Sequence, residues 1–410
     1  MNKPVMPLSS LSLKLPKADR SIDTYRLAAS RSFPAKLAGT LNRVAFSAAH
    51  VVADPLGDVD PWLISAVDWD RTIAFREHIW DLGLGVAEAM DTAQRGMGLD
   101  WPTSLELIQR SVSAAKARGG ALVFSGAGTD HLAVEDAKSI DDVIRAYEEQ
   151  IAAVEKAGGR IILMASRALA KLGKSAEDYG KVYDRVLSQC SQPVIIHWLG
   201  DMFDPALAGY WGSSEIDAAM DTALGIIAAH PDKVDGIKIS LLDKDREIAM
   251  RRRLPATRGA DGSGVRMYTG DDFNYAELIA GDGVGAAPTH HHSDALLGIF
   301  DAIAPAASAA LAALAAGDDA RFHAILAPTV PLSRHIFRAP TRYYKTGVVF
   351  MAWLNGHQDH FVMVGGQQST RSLPHLCELF RLADAAGLIA DPERTLARMR
   401  HLLALHGVPA

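Results

Sequence analysis

One lysine of this chain has the residue type and the surroundings of a catalytic nucleophile. Lys238 lies near the end of a short apolar segment, residues 234–240, which reads Val-Asp-Gly-Ile-Lys-Ile-Ser. A lysine held in such a segment loses its proton more easily than one in water, and the free amine attacks carbonyl carbons. The alternative is an ordinary surface lysine just past a strand. The segment therefore predicts either an imine-forming residue or a solvated side chain.

Polar residues at the ends of other apolar segments suit the handling of a small polar substrate. His197 ends the preceding apolar segment, and because a histidine titrates near neutral pH it is the candidate for proton transfer. Thr92 and Arg95 are expected to bind the anionic or hydroxyl end of a ligand. The other residues predicted to bind substrate are Asp91, His290 and Asp271, with helix capping as the alternative for Asp271.

Three consecutive histidines, residues 290–292, suggest a different kind of chemistry. Imidazole and carboxylate ligands together suit zinc or manganese, so His290 and His291 with His50 and Glu88 form an alternative metal site. Neighbouring strand residues point to opposite faces, so at most two of the three histidines can converge without a turn. Glu88 lies inside an apolar segment, where it would face the interior or pair with a base on a helix. The main interpretation requires no metal and no cofactor.

Short apolar segments alternate with longer amphipathic ones, and this alternation predicts the elements that position these side chains. Helical patterns separate the strands, as in residues 141–157, with Ser139 as the N-cap and Gly158 at the end. Eight such units are typical of an α/β fold, the closed (β/α)8 TIM barrel, whose active site lies at the C-terminal ends of the strands. The alternative is a doubly wound sheet, but no Gly-x-Gly-x-x-Gly follows the first strand. The predicted strands are residues 44–49, 84–90, 121–125, 160–165, 193–198, 234–239, 265–269 and 283–287.

Composition divides the chain into three regions and excludes several functions. We expect an irregular N-terminal segment at residues 1–35, the barrel at 36–305 and C-terminal helices packed on it at 306–410, where alanine becomes frequent. A net charge of −6 without a basic stripe argues against nucleic-acid binding, and no apolar run is long enough to span a membrane. Cys190 and Cys377 form neither a disulfide framework nor a Cys-x-x-Cys pair, so a reducing cytoplasm is expected.

The order of the segments resembles that of the dihydrodipicolinate synthase and N-acetylneuraminate lyase superfamily, from about residue 40 to the C-terminus. The similarity lies in Asp-Gly-Ile-Lys at residues 235–238, Tyr-Thr-Gly-Asp-Asp at 268–272 and Ala-Gly-Asp-Gly-Val-Gly at 280–285. Pro-Val-Ile-Ile-His at residues 193–197 is similar to strand five of that family. The resemblance implies a barrel enzyme in which Lys238, on strand six, forms a Schiff base with a 2-oxo acid. It also implies a homo-oligomer.

Two motifs of that superfamily are altered here. The family's Gly-Thr-Thr-Gly-Glu after strand two is Asp-Thr-Ala-Gln-Arg at residues 91–95, where only Thr92 matches and Arg95 is the candidate replacement for the lost carboxylate contacts. The family's proton-relaying tyrosine at the end of strand four has no counterpart in residues 164–169. The chain is therefore expected to be a divergent branch without an assigned function.

Three functions of different classes follow from these features. The first is a Schiff-base lyase, an aldolase or dehydratase acting on a small oxo acid or oxo sugar through Lys238. The second is a metal-dependent barrel isomerase or hydrolase that uses the cluster at residues 290–292. The third is a barrel that binds a small molecule without catalysis. Borohydride trapping, metal analysis and ligand-induced stabilisation distinguish the three.

Overall fold

The structure is a computed structural model that describes residues 11–28, 31–258 and 263–408. Its first elements are β1 (Ser12–Pro16) and β2 (Ile22–Arg26), which pair as an antiparallel hairpin. The prediction of an irregular N-terminal segment is therefore wrong here, and its residues 1–10 and 29–30 lie outside the described residues. Leu13 and Leu15 point to one side of β1 and are buried, which is why this short hairpin packs on the rest of the chain.

Eight parallel strands close into a barrel in which each strand pairs with the next along the chain and the last pairs with the first. This closure confirms the (β/α)8 barrel and excludes the doubly wound sheet. The strands are β3 (Ala45–Ala48), β4 (Gly85–Glu88), β5 (Val123–Ala127), β6 (Arg160–Leu163), β7 (Val194–Leu199), β8 (Val234–Ser240), β9 (Arg266–Thr269) and β10 (Asp294–Leu297).

Seven predicted strands coincide with observed ones, and the eighth prediction is wrong. Residues 283–287 form no strand, and the last barrel strand is β10, about ten residues further on. Asp294, at the start of β10, accepts hydrogen bonds from Arg266 Nη1 at 2.7 Å and from the backbone N–H of Val44 at 2.7 Å. The two neighbouring strands therefore supply the partners that fix an aspartate inside the sheet.

Amphipathic helices follow the strands and cover the outside of the barrel. The helix predicted at residues 141–157 is observed as α3: Ser139 and Asp142 form a capping box, and Gly158 ends the helix with φ +79°. The helices of this part are α1 (Trp69–Asp81), α2 (Trp101–Ala117), α3 (Ile140–Ala157), α4 (Arg167–Leu172), α5 (Ala176–Gln189), α6 (Ile216–Ala229), α7 (Lys244–Arg251), α8 (Tyr275–Ala280) and α9 (Ile299–Ala315).

After the barrel, helix α12 (Tyr344–Asn355) and the segment that follows it contact the loops at the C-terminal ends of the strands, and the other helices pack around them. Helix α9 runs through the boundary predicted at residue 305, and α12 is buried along nearly its whole length. Contacts to the loops that follow the strands include Gln94 Nε2 to the carbonyl of Val364 at 2.7 Å. No helix in the described part of the chain is long and apolar enough to cross a membrane. These last helices are α10 (Asp319–Leu326), α11 (Val330–Ile336), α12 (Tyr344–Asn355), α13 (Leu373–Ala385) and α14 (Pro392–Leu405).

Large side chains fill the interior of the barrel below its C-terminal mouth. Phe46 and Phe124 meet edge to face with their ring centroids 5.2 Å apart. Because side chains alternate along a strand, residues two positions beyond an interior residue also face the interior. The remaining large side chains of this cluster are Met90, Ile162, Ile195, Tyr268 and Leu296.

Candidate active site

Lys238 faces the barrel interior at its C-terminal mouth. On β7, Ile195 belongs to the interior cluster, so His197 two residues later also faces inward, and β8 places Lys238 beside His197 in the strand register. Only 7% of the surface of Lys238 is exposed. The side-chain nitrogen of Lys238 makes no hydrogen bond or ion pair with another described residue, so it is buried without a partner there.

The surroundings of Lys238 favour the neutral amine. Burial lowers the pKa of Lys238 below its ordinary value, although Asp272 and Asp91 oppose that shift. The Lys238 side chain packs against the backbone of Gly270, just after β9. A Cβ at this position would lie only 2.7 Å from Lys238 Cε. The absence of a side chain at Gly270 is therefore a condition for the position of the amine.

A small cavity of about 10 Å³, room for a single water molecule, is lined by Lys238 and by two carboxyl groups. The carboxylate of Asp91 makes no hydrogen bond or ion pair with another described residue, and Asp272 Oδ1 accepts the backbone N–H of Ile299 at 2.9 Å. Burial raises the pKa of Asp272 to about 7, although Lys238 acts in the opposite direction. The carboxyl groups of Asp91 and Asp272 thus border the same small space as the Lys238 side chain.

The neighbouring Asp271, predicted to bind substrate, has a structural contact instead. One oxygen of its carboxylate accepts the backbone N–H groups of Phe273 and Asn274 at 2.8 and 3.0 Å, and the other accepts Asn274 Nδ2 at 2.8 Å. These bonds fix the turn before α8. The N-cap of α8 is Asn274, without a side-chain capping hydrogen bond, so the prediction that Asp271 caps the helix is wrong. The aspartate that lines the small cavity with Lys238 is the next residue, Asp272.

His197 occupies the position expected of a proton-transfer residue, but its proton affinity is low. Its Nε2 lies 3.4 Å from Ser240 Oγ, and its Nδ1 has no hydrogen-bond partner among the described residues. Burial and the neighbouring Lys238 hold the pKa of His197 well below its ordinary value. The imidazole is therefore neutral at neutral pH and better suited to accept a hydrogen bond than to supply a proton.

Arg95 lies near the mouth, but other residues occupy its donors. Its guanidinium binds Asp130 through two nitrogens at 3.0 and 2.8 Å, and the remaining N–H groups reach Gln150 and the carbonyls of Ala89 and Gly126. A guanidinium has five N–H donors, and all are engaged here. The expectation that Arg95 binds the anionic end of a ligand is therefore replaced by a role in joining the ends of β4 and β5 to helix α3.

A larger cavity of about 280 Å³ extends from the mouth over β4 to β7 and also contains Asp91 and His197. Arg167, at the start of α4, lines it and pairs through Nε with Asp204. The terminal nitrogens of Arg167 make no hydrogen bond to another described residue, and 40% of its side chain is exposed. This arginine, not Arg95, has donors free for an anionic group.

Two consecutive residues of the C-terminal helices reach the site. Tyr344, the first residue of α12, lines the small cavity, and its hydroxyl lies 2.8 Å from Thr92 Oγ1. Lys345 is buried, its Nζ lies 4.6 Å from the centroid of the Tyr344 ring, and burial lowers the pKa of Lys345 to about 8. Sequence patterns did not single out either residue, because they lie in a helical region far along the chain from the other site residues.

The histidine cluster lies at the opposite end of the barrel. Pro288–His290 forms a short 3-10 helix before β10, and His290 packs beside Gly264, which precedes β9. His290 was expected at the C-terminal mouth because the eighth strand was predicted too early in the chain. It is therefore not a substrate-binding residue of this mouth. Within the described ranges, no group of three or more His, Cys, Asp or Glu residues is arranged to hold a metal ion.

The other two proposed metal ligands are engaged elsewhere. His50 Nδ1 lies 2.7 Å from Asp301 Oδ2. Glu88 points outward from β4 to Arg76 on α1, with two N–O distances of 2.9 Å. Of its two predicted environments, the observed one is therefore the pair with a base on a helix. His50, Glu88, His290 and His291 therefore do not form a common site.

The fold and the mouth residues define a (β/α)8 barrel with a single buried lysine on its sixth strand. The chain belongs to the family described as "Protein of unknown function (DUF993)", whose model matches residues 13–408. No curated protein matches it by sequence comparison.

Several solved structures share this fold at low sequence identity. A putative dihydrodipicolinate synthetase from Pseudomonas aeruginosa is 15% identical, with a TM-score of 0.57 over 83% of this chain and 99% of that one. A prophage protein of the dihydrodipicolinic acid synthase family from E. coli K12, solved in complex with pyruvate, is 13% identical, with a TM-score of 0.60 over 90% of this chain and 100% of that one. The predicted resemblance is thus confirmed as a shared fold.

Proposed function

We propose that this protein is a Schiff-base lyase, an aldolase or dehydratase that acts on a small oxo acid or oxo sugar. The observation that carries the proposal is the buried ammonium of Lys238, which faces the barrel mouth without an ion-pair or hydrogen-bond partner among the described residues. A buried lysine with a structural role is expected to have a partner. A free one beside a cavity fits nucleophilic catalysis.

The proposed reaction begins with attack of the neutral amine of Lys238 on the carbonyl carbon of the substrate. Loss of water leaves a cationic imine, which accepts the electron pair released when a neighbouring C–C bond breaks or a proton is removed. Asp91 and Asp272 lie close enough to Lys238 to influence its pKa, so they would stabilise the cation electrostatically. This chemistry uses no metal or organic cofactor, because the imine itself is the electron sink.

Arg167 is the residue that we propose to bind the acidic group of the substrate. Its free terminal nitrogens border the cavity that His197 and Asp91 share, and a guanidinium binds a carboxylate with two parallel hydrogen bonds. The pyruvate bound to the E. coli relative supports an oxo acid as the substrate class. A cytoplasmic location stays a prediction from the cysteine content, and a homo-oligomeric state stays a prediction from the family resemblance.

Arg167→Ala is expected to raise KM for the oxo acid by about ten- to a hundredfold, the loss expected for hydrogen bonds to a charged group. Turnover should change little if Arg167 holds substrate and transition state equally. Steady-state kinetics measure both constants. Arg145→Ala removes an exposed arginine that pairs with Asp142 on α3 and serves as the control. An unchanged KM in Arg167→Ala would place the acidic group elsewhere.

The proposal is tested by incubating the protein with oxo acids, beginning with pyruvate, or with oxo sugars, and then adding borohydride. An imine is reduced to a stable amine, so the expected result is a covalent mass increase located on the peptide that contains Lys238. No adduct with any of these compounds, together with stabilisation of the fold by one of them, would support the non-catalytic binding barrel. Activity that requires an added metal would favour the metal-dependent alternative.

A further inference from the structure

Tyr344 is the hydroxyl-bearing side chain that α12 brings to the Lys238 cavity. The cavity is lined by Lys238, Thr92, Asp272 and Tyr344, among others. The Tyr344 hydroxyl lies 2.8 Å from Thr92 Oγ1, and either oxygen can donate the hydrogen bond. A proton donor and an imine-forming amine thus border the same small space.

The Tyr344 ring is held rigidly. It stacks on Phe337 with centroids 4.4 Å apart and an interplanar angle of 16°, and Phe203 meets it edge-on at 6.0 Å. Lys345 Nζ lies 4.6 Å from the ring centroid. A cation at this distance stabilises negative charge on the ring and its oxygen, so it would favour a transient phenolate.

We infer that Tyr344 is the catalytic residue that moves protons to and from the Lys238 adduct, an inference that rests on the proposed function. When the amine has added to the carbonyl, the phenol donates its proton to the adduct hydroxyl, which leaves as water and yields the cationic imine. The phenolate then removes a proton from the adjacent carbon, whose C–H electrons form the enamine, and the phenol is restored. Thr92 orients the phenol and is a positioning residue.

The other titratable groups facing the cavity are less suited to this cycle. His197 lines the larger cavity next to this one, and burial and Lys238 hold its pKa well below the ordinary value, so this imidazole rarely carries a proton to give. Asp272 is anchored by the Ile299 amide, and it is assigned, with the other lining carboxylate, Asp91, to stabilising the cationic imine. Burial keeps the pKa of Tyr344 well above its ordinary value, so the phenol enters the cycle protonated. The cationic imine then supplies the charge that makes its deprotonation favourable.

The test follows the exchange of pyruvate methyl hydrogens for deuterium in heavy water, by NMR, because exchange requires the imine and then the enamine. Tyr344→Phe is expected to slow exchange by about a hundredfold or more, the usual contribution of general acid–base catalysis. At long incubation it should still give the borohydride adduct on Lys238, because a catalyst does not change an equilibrium. Tyr343→Phe, a half-buried neighbour, should exchange at the wild-type rate and is the matched control.

Thr92→Val provides a second variant that leaves the phenol in place but removes the hydroxyl that orients it. Exchange should slow by about tenfold, the equivalent of one hydrogen bond. If Tyr344→Phe forms the adduct and its exchange rate is within threefold of the wild-type rate, the role of Tyr344 is overturned but the imine chemistry is not. A wild-type protein that shows neither adduct nor exchange with pyruvate would overturn the imine chemistry and this inference with it.

Discussion

Lys238→Arg is expected to lower kcat/KM by about four orders of magnitude or more, as removal of a covalent nucleophile does in other enzymes. Arginine keeps the positive charge but stays protonated and cannot form an imine. The same variant should lose all borohydride labelling. Steady-state kinetics and mass spectrometry of the reduced protein measure the two effects.

The control for this variant is Lys244→Arg, in the first turn of α7. Lys244 is exposed and pairs with Glu277, with both N–O distances 2.8 Å, so labelling and activity should stay at the wild-type level. A melting temperature of Lys238→Arg close to wild type would show that the fold is intact. Labelling that persists in Lys238→Arg and maps to Lys345, the other buried lysine near the site, would contradict the assignment of the nucleophile.

Glu88→Gln is expected to lower the free energy of unfolding by about 3–5 kcal/mol, the range found when one partner of a buried ion pair is removed. Arg76 and Glu88 are both fully buried, and the carboxylate also accepts the Ala89 backbone N–H at 2.8 Å and the Ser111 hydroxyl. The substitution leaves the Arg76 guanidinium buried without a counter-charge. Denaturant unfolding followed by circular dichroism measures the loss.

Glu106→Gln is the matched control, since Glu106 pairs with Arg110 in an exposed i,i+4 contact on α2. Such a pair contributes only about 0.3–0.5 kcal/mol. The double variant Arg76→Met with Glu88→Leu should recover much of the lost stability, because it removes both buried charges. A Glu88→Gln protein as stable as Glu106→Gln would mean that water reaches the pair.

Local patterns in the sequence were enough to predict most of the barrel and its central lysine. Strand and helix periodicity depends on neighbours a few residues apart, so the strand that carries Lys238, the preceding strand of His197 and the capped helix α3 were all predictable. The alternation of side chains along a strand then places Lys238 and His197 on the same face. These features are properties of short segments.

Other features depended on packing between distant segments. The last strand, β10, begins with Asp294, whose partners at the neighbouring strands are 250 and 28 residues away, whereas residues 283–287 carry no charge and looked more like a strand. Choosing the wrong segment moved His290 to the wrong end of the barrel. Arg95 looked free because Asp130 and Gln150, which saturate it, lie 35 and 55 residues further along the chain.

The sequence by itself therefore determined the barrel class and the strand that carries Lys238, but it left open whether this lysine is buried or solvated. The tertiary structure decided which polar residues are free and which are paired. It also decided that Tyr344 reaches Thr92 across a separation of 252 residues. The physical reason is the sequence separation of the interacting residues. Periodicity depends on residues a few positions apart, whereas a hydrogen bond between distant segments depends on how the closed barrel and its C-terminal helices pack.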